Sequence, residues 1–320
     1  MKRVALRRAA QQDGVALLAA LLAVTLMTFV VVDFTYTATV AYRAAANQAN
    51  ELRAAYLARS GINVGIGLLD QDARLDSKRQ QAYDGLTDIW ATPFPPLSVD
   101  GGYAALSIVD ENRKLAINQL VNPSTGQVNP LVRDQFTRLF NILRTSNDLL
   151  PSVIDWLDAD SVPSAGGAES SYYLALTPPY EPRNGPMPTI GDLRMVKGID
   201  EPTFLLLSGL VTTAPVSKVN INTAPAEVIA SLLPELQANP SIVKAIVAQR
   251  AEAPFTSLLD LSQIPAVASL YAKLSPLIDV KSDHFLITGV GNYAGARKLV
   301  FATVRRNPQG PALLASWHED

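Results

Sequence analysis

Cysteine is absent from this chain of 320 residues, which excludes disulfide bonds, thiol redox chemistry and thiolate metal sites. Histidine is almost absent as well. The chain has His284 and His318 alone, and we expect His318 to lie in a frayed C-terminus. The formal net charge is −2, so no overall basic field favours nucleic acid. These absences argue against a histidine-based catalytic or zinc site and against a general nucleic-acid-binding protein.

Proline is absent from Met1 to Ala91, and charge is absent from Val15 to Val32. An apolar run of that length spans a bilayer as a helix. Basic residues precede the run, so the positive-inside rule keeps the N-terminus in the cytoplasm. A secretory signal is cut after its apolar region, whereas Gly14 stands before this one. We therefore expect a prepilin-type signal cut between Gly14 and Val15. An uncleaved anchor, or a secretory signal cut near Ala44–Ala46, is the alternative.

Beyond the apolar run, small and apolar residues recur at helical spacing as far as Ile66. We predict an α+β protein in which a transmembrane and stem helix packs on a small antiparallel sheet, as in pilins. The predicted strands are Tyr103–Asp110, Lys114–Ile117, Phe285–Val290 and Arg297–Arg305, the last two forming a hairpin. The predicted divisions are a leader (1–14), a transmembrane helix (15–33), a stem (34–70), a β domain (71–117 and 278–308), an inserted helical domain (118–277) and a tail (309–320).

The inserted segment contains an internal repeat. Residues 114–118 (KLAIN) resemble residues 218–222 (KVNIN), and residues 187–193 (MPTIGDL) resemble residues 255–261 (FTSLLDL). The first copy is longer by about 36 residues, because the two resemblances have different offsets. We predict two degenerate copies of a helix-hairpin-helix or SAM-like unit, inserted between strands of the sheet.

The second copy resembles the helix-hairpin-helix domains of DNA uptake and repair proteins, through residues 220–228 (NINTAPAEV) and 246–250 (IVAQR). Such domains hold phosphates with backbone N–H groups of glycine-rich hairpins. The hairpins here, residues 233–236 (LPEL) and 263–266 (QIPA), contain no glycine. Proline removes a donor, and Glu235 repels phosphate. We therefore expect no nucleic acid, and a membrane-tethered DNA-binding protein of a DNA-uptake pilus is the alternative function.

Four carboxylates lie close together in the extra part of the first copy: Asp155, Asp158, Asp160 and Glu169. Like charges held together repel one another, and a divalent cation offsets that cost. Oxygen ligands on an irregular loop favour calcium over magnesium or zinc. We expect structural calcium bound chiefly by Asp158, Asp160 and Glu169, with Asp155 a further ligand or a residue that orients a helix. A solvated acidic loop is the alternative. A glycosidase pair is disfavoured, because no aromatic-lined cleft can be inferred around these residues.

Short motifs along the whole chain resemble one known family. They are residues 14–18 (GVALL), 58–61 (ARSG), 110–118 (DENRKLAIN), 155–160 (DWLDAD), 167–169 (GAE), 172–173 (YY), 178–180 (PPY), 219–224 (VNINTA) and the closing hairpin. Together they resemble minor pseudopilin K of bacterial type II secretion systems, the general secretion pathway protein K family. If Val15 is the first mature residue, Ala19 is the fifth. Most pilins and pseudopilins have glutamate there, and protein K does not. Ser170 departs from the family, which commonly has an acidic residue at that position.

The resemblance implies a structural protein rather than an enzyme, cleaved and N-methylated by prepilin peptidase. It implies a single-pass protein of the cell inner membrane with its C-terminal domain in the periplasm. The implied partners are minor pseudopilins I and J, other pseudopilins and the inner-membrane assembly platform. The implied role is to initiate or cap the pseudopilus at its tip and to help export folded proteins across the outer membrane. We expect partner contacts along the helix at Ala19, Leu52, Ala55, Tyr56 and Ile62.

Overall fold

The structure is a computed structural model that describes residues 2–79, 82–146, 148–307, 310 and 312–319, with side chains for residues 14–78 and for the described residues from 82 onward. Its helices are α1 (Lys2–Arg79), α2 (Pro130–Leu143), α3 (Leu149–Leu157), α4 (Ser170–Tyr173), α5 (Glu201–Ser208), α6 (Ala226–Leu232), α7 (Pro234–Ala238), α8 (Pro240–Glu252), α9 (Leu258–Ser262), α10 (Pro265–Ala268) and α11 (Tyr271–Leu274). Its strands are β1 (Leu97–Val99), β2 (Gly102–Asp110), β3 (Leu115–Ala116), β4 (Val211–Thr212), β5 (Val219–Asn220), β6 (Ile278–Asp279), β7 (His284–Tyr293), β8 (Ala296–Arg305) and β9 (Leu313–Glu319). Two 3₁₀ helices cover Ile117–Gln119 and Ile190–Met195.

Helix α1 is continuous over its 78 residues, because no proline interrupts it. In the described part of the chain, one helical stretch, Gly14–Lys78, is long and apolar enough to cross a membrane. The predicted apolar N-terminal helix is therefore confirmed. Its stem continues beyond the predicted end at residue 70, so residues 71–79 belong to the helix and not to the β domain. The buried face of this last part carries Asp72 and Asp76 instead of apolar residues, so hydrophobic spacing did not reveal it.

The main sheet has five strands in the order β1-β2-β7-β8-β9, and all its neighbours are antiparallel. The mixed helix and antiparallel sheet composition is confirmed. Strands β7 and β8 form the predicted hairpin, whose turn places Ala294 and Gly295 at positive φ (47° and 86°). Gly295 suits this turn because a residue without Cβ adopts that conformation freely.

Strand β9 corrects the prediction of a C-terminal tail at residues 309–320. It pairs with β8 along the free edge of the sheet, and His318 stacks on Phe301 with ring centroids 4.6 Å apart. All seven residues of β9 are exposed, so the strand lacks the apolar and polar alternation that marks a half-buried strand. The expectation of a frayed C-terminus around His318 is therefore wrong.

Small residues let helix α1 lie directly on the sheet. A Cβ atom at Gly289 would lie 2.1 Å from the carbonyl oxygen of Ala58, and one at Gly291 would lie 1.8 Å from that of Ala54. Only glycine permits this approach. The helix and the sheet then bury a common apolar core made of Ala58, Ile62, Leu69, Trp90, Phe285, Ile287, Val300, Ala302 and Val304.

The chain between β2 and β7 forms the insert, which has its own larger apolar core and contains much more helix than strand. Two short parallel pairs tie it together, β3 with β4 and β5 with β6. The predicted strand Lys114–Ile117 is thus shorter, at Leu115–Ala116, and pairs within the insert. Its assignment to the antiparallel sheet was wrong, because strand pairing depends on distant partners that a local pattern does not identify.

The two halves of the insert share one hydrogen-bond arrangement. Asn118 Nδ2 donates to the carbonyl oxygen of Met187 (2.9 Å), and Asn118 Oδ1 accepts from the Met187 N–H (2.8 Å). Asn222 and Phe255 make the same pair of bonds, at 2.9 and 2.8 Å. Both asparagines and both partners occupy the positions that the internal sequence resemblance aligns.

Candidate functional site

Asp155 lies on helix α3, and Asp158 directly follows this helix. Asp158 follows the helix in an extended conformation, while its N–H still donates to the Ile154 carbonyl oxygen (2.9 Å). Trp156 packs edge-on against Tyr173 and Tyr180, with ring centroids 5.3 and 6.4 Å apart. This aromatic cluster holds α4 against α3, so that the residue preceding α4, Glu169, returns to the end of α3.

Three of the four predicted ligands converge. Asp158, Asp160 and Glu169 each offer a carboxylate oxygen, and these oxygens lie within 4.8 Å of one another. Glu169 is only 2% exposed. Both of its side-chain oxygens, and Oδ1 of Asp158, are buried without a hydrogen-bond partner among the described residues. Buried carboxylate oxygens are normally satisfied, so this arrangement has the acceptors of a cation site.

The electrostatics of Asp158 and Glu169 also favour a cation at this place. Burial, followed by the neighbouring Asp158 carboxylate, raises the pKa of Glu169 to about 7. Burial, followed by Asp160, raises the pKa of Asp158 to about 6. Asp158 and Glu169 therefore ionise against both desolvation and like charge. A divalent cation would relieve both effects, and an all-oxygen set is the one that calcium prefers.

Asp155 lies outside that group of three. It is fully buried, and its carboxylate accepts the Ser164 N–H through both oxygens (3.0 and 3.2 Å). A Cβ atom at Gly167 would lie 2.0 Å from Asp155 Oδ2, so the Gly166-Gly167 turn passes directly over this carboxylate. Asp155 thus orients the loop that carries Glu169 and does not join the converging oxygens.

Lys197 holds the same loop from the other side. Its Nζ donates to the carbonyl oxygens of Gly166 (3.1 Å) and Gly167 (3.0 Å) and lies 5.2 Å from the ring centroid of Tyr172. Its N–H donates to Tyr173 Oη (3.2 Å). No sequence pattern indicates this role, because Lys197 lies well beyond the acidic residues along the chain and outside the motifs described above.

A second acidic group joins the stem to the sheet. Oxygens of Asp72, Asp84 and Asp88 also lie within 4.8 Å of one another. Here a cation is already present, because the Arg306 guanidinium contacts Asp72 (2.9 Å) and Asp84 (2.6 Å). Burial still raises the pKa of Asp72 to about 7, although Arg306 opposes the shift. This group is a buried ion-pair network between α1 and the end of β8, and sequence reasoning missed it.

A buried polar network fixes the insert to the sheet. The Asp110 carboxylate, at the end of β2, accepts from the hydroxyls of Thr223 (2.5 Å) and Ser282 (2.7 Å) and from the Asn112 N–H (2.7 Å). Asn220 Nδ2 adds a longer bond of 3.3 Å. Burial is the main reason that the pKa of Asp110 is raised to about 6. The network joins β2, the second half of the insert and the segment before β7.

The predicted processing site lies within α1. Gly14 and Val15 are both exposed, and a Cβ atom at Gly14 would meet no atom within 4 Å. Ala19 is also exposed, and it places no carboxylate on this part of the helix. The structure leaves cleavage between Gly14 and Val15 as a prediction.

The predicted partner residues of the stem fall into two groups. Leu52 and Tyr56 are 56% and 58% exposed, and Ala55 is half-buried. Ile62 is completely buried and forms part of the core between α1 and the sheet. Its assignment to a partner surface is therefore corrected, because helical spacing alone does not distinguish a face against the chain's own sheet from a face against a neighbour.

The hairpin segments considered for DNA binding are occupied by other contacts. Helix α7 begins at Pro234, and Glu235 pairs with Lys273 at 2.5 Å. Helix α10 begins at Pro265. Each hairpin therefore leads into a helix whose first residue is proline, which offers no N–H to a phosphate.

Comparison with known proteins gives one consistent family. Two family models match, both described as type II secretion system (T2SS), protein K, one over residues 113–216 and the other over residues 219–281. A type II secretion system protein K of Pectobacterium carotovorum is 33% identical over 293 residues, covering 87% of this chain and 87% of that protein. One of Pseudomonas aeruginosa is 27% identical over 308 residues, covering 93% and 90%.

A solved structure shares the fold. It is the crystal structure of the GspK-GspI-GspJ complex from the type 2 secretion system of enterotoxigenic Escherichia coli. The TM-score is 0.65 at 19% identity, with 85% of this chain and 98% of that chain covered. The two family models cover most of the insert, and the identity to the Pectobacterium protein extends over most of the chain. The chain belongs to the type II secretion system protein K family and is a minor pseudopilin of type II secretion.

Proposed function

We propose that this minor pseudopilin stands at the tip of the periplasmic pseudopilus, where it initiates and caps the filament and helps to export folded proteins across the outer membrane. The observation that carries the proposal is the combination of an exposed apolar helix with alanine at position 19. The helix suits lateral packing in a filament. Its missing carboxylate leaves nothing to pair with the amino terminus of a further subunit.

The argument from Ala19 is electrostatic. In a pilin, glutamate at the fifth mature position pairs with the amino terminus of a neighbouring subunit inside the membrane bundle. An unpaired charge there is costly, so the pair specifies which subunit follows. Ala19 removes the acidic partner, and the insert between β2 and β7 adds bulk to the periplasmic part. Both features favour a terminal position over a place within the shaft.

The partners follow from this position. We propose minor pseudopilins I and J as direct neighbours, with other pseudopilins and the inner-membrane assembly platform as further contacts. The GspK-GspI-GspJ complex whose chain shares this fold supports the first part. Prepilin peptidase would cut between Gly14 and Val15 and methylate the new amino terminus. The protein would then be anchored once in the inner membrane, with its C-terminal domain in the periplasm.

The test is association with the two neighbours. A soluble fragment that begins near Arg43 should co-purify with the soluble domains of minor pseudopilins I and J at micromolar concentration. Replacing exposed Tyr56 with glutamate should weaken this association, whereas replacing exposed Leu259 of the insert should not. If three folded domains fail to associate, or if both variants behave alike, the proposed stem interface is wrong.

The insert is best described as two related units. Matching asparagine bonds at Asn118 and Asn222 support this division, and so do the two parallel strand pairs. The units would fall at about residues 111–216 and 217–283, with the acidic loop as an addition to the first. We propose degenerate helix-hairpin-helix units that have kept the fold but do not bind nucleic acid.

We also propose structural calcium at Asp158, Asp160 and Glu169. The support is the set of buried acceptors without partners and the mutual proximity of the three carboxylates. The ion would neutralise these charges and join the end of α3 to the start of α4. In a chain without disulfides, it would clip a long loop and couple binding to local folding. Asp155 and Lys197 would hold the loop in place around the ion.

A further inference from the structure

The turn at Asn184-Gly185 returns the chain to the end of α3. The Gly185 N–H donates to the carbonyl oxygen of Trp156 (3.3 Å), and Asn184 Nδ2 donates to that of Asp160 (3.3 Å). Asn184 has a φ of 50°, in the left-handed region. Asparagine occupies this region more readily than most residues. The turn thus holds the Asn184 amide beside the backbone of a predicted calcium ligand.

Unpartnered oxygens are concentrated at this place. In the described part of the chain, five buried side-chain oxygens have no hydrogen-bond partner. Three belong to the acidic site: Oδ1 of Asp158 and both carboxylate oxygens of Glu169. A fourth is Oδ1 of Asn184, whose amide is bonded to Asp160. A buried acceptor without a partner destabilises the folded protein, so the concentration of four such oxygens in one place indicates a shared partner that accepts lone pairs.

We propose that Asn184 is a further ligand of the calcium ion, binding it through Oδ1. This inference rests on the calcium site proposed for Asp158, Asp160 and Glu169. Calcium takes six to eight oxygens, and side-chain amides are among its usual ligands. Asn184 supplies a neutral oxygen, which adds a contact without adding charge to a group that already repels itself.

Asn184 changes what the ion holds together. The three carboxylates come from the end of α3, the following loop and the residue before α4. Asn184 comes from a fourth segment, beyond α4. With Asn184 as a ligand, the ion holds together both ends of the segment that runs from the end of α3 to the turn at residues 184–185. Without it, the ion would fix only the first half.

Asn184 could instead serve only to stabilise the left-handed turn. The two roles predict different results for Asn184→Gly: a turn residue can be replaced by glycine without loss of calcium binding, whereas a ligand cannot. Glycine adopts positive φ more readily than asparagine, so Asn184→Gly keeps the turn and removes the oxygen. Asn184→Asp keeps an oxygen in place. Ala294→Gly is the matched control, because Ala294 also has a left-handed φ (47°) but lies in the β7–β8 turn.

The experiment is calorimetric titration of calcium chloride into the full chain in detergent, for the wild type and the three variants. We expect Asn184→Gly to weaken calcium binding by at least about tenfold, while Asn184→Asp and Ala294→Gly keep it. Wild-type affinity in Asn184→Gly would overturn the role of Asn184 and leave the three-carboxylate site standing. Absence of calcium binding by the wild type would overturn both.

Discussion

Removing calcium should lower the thermal stability of the protein, and the structure sets the scale. In the structure, oxygens of Asp158, Asp160 and Glu169 lie within 4.8 Å of one another. Two full charges at that distance repel by about 3 kcal/mol at an effective dielectric constant of 20. Asp160 is exposed, so solvent screens its part of this repulsion. Binding calcium replaces this repulsion with attraction, so the folded loop should bind the ion and the unfolded chain should not.

The expected shift follows from linkage. At a free calcium concentration of about 100 times Kd, the free energy of unfolding rises by about 2.7 kcal/mol. For a folded domain of roughly 150–250 residues, each kcal/mol added to the free energy of unfolding raises Tm by about 2–4 °C. The midpoint should therefore rise by roughly 5–10 °C.

The effect should depend on pH. Burial and the neighbouring carboxylates raise the pKa of Glu169 to about 7 and that of Asp158 to about 6 in the ion-free protein. Because these values exceed those of the unfolded chain, the ion-free protein gains stability as the pH falls from about 7 towards 4. Calcium must displace the same protons. The stabilisation by calcium should therefore shrink between pH 7.5 and pH 5.

The assay is differential scanning calorimetry of the calcium-free full chain in detergent, with and without millimolar calcium. The double variant Asp158→Ala/Asp160→Ala should lose the shift. Asp134→Ala, which removes an exposed carboxylate on α2, should keep it. If the wild-type midpoint does not respond to calcium, or if the double variant responds equally, the acidic site is only a solvated loop.

Three further predictions concern the leader, the helix and the junction. Gly14→Leu should leave unprocessed precursor in the inner membrane, and a mature wild-type chain that begins anywhere but Val15 would contradict the processing site. Ala19→Glu should not raise secretion above wild type, since it offers a partner to another amino terminus; a rise would refute the capping argument. Burial raises the pKa of Asp110 to about 6, so its contribution to the free energy of unfolding should fall by up to about 3 kcal/mol as the pH rises from 4 to 7. Asp110→Asn should flatten the pH dependence of the urea midpoint, and an unchanged profile would show that Asp110 does not titrate.

The regular parts of the fold were predictable because their periodicity is strong. A long apolar run without proline predicts α1, and two alternating segments around a glycine-rich turn predict the β7–β8 hairpin. Strand β9 escaped prediction because an exposed edge strand has no alternating pattern. The pairing of β3 within the insert escaped it because pairing is decided by a partner almost a hundred residues away.

The acidic residues of the candidate site could be predicted from the sequence, but the arrangement of their side chains could not. Clustered carboxylates and a glycine turn identify Asp158, Asp160 and Glu169 from sequence, because repulsion among them requires an explanation. The sequence left two roles open for Asp155, a further ligand or a residue that orients a helix, and its burial and its bond to Ser164 favour the orienting role. Asn184 could not be found from the sequence, because the feature that identifies it is a buried amide oxygen without a partner, which only the folded structure shows.

The junction between insert and sheet shows a third kind of limit. Asp110 and Asn220 lie far apart in the sequence and meet in a fully buried network. Each occurs in a short polar motif that sequence alone assigns to a family but not to a function. Their role is to fix the orientation of the insert on the sheet, and it depends on a hydrogen-bond pattern that forms only in the folded chain.

The most direct test of the central claim is the position of this protein in the filament. Pseudopili assembled in the presence of the wild-type chain should be labelled with gold-conjugated antibodies against the insert and viewed by electron microscopy. If the protein is at the tip, label should appear at one end of each filament and not along the shaft. Label distributed along the shaft would contradict the account.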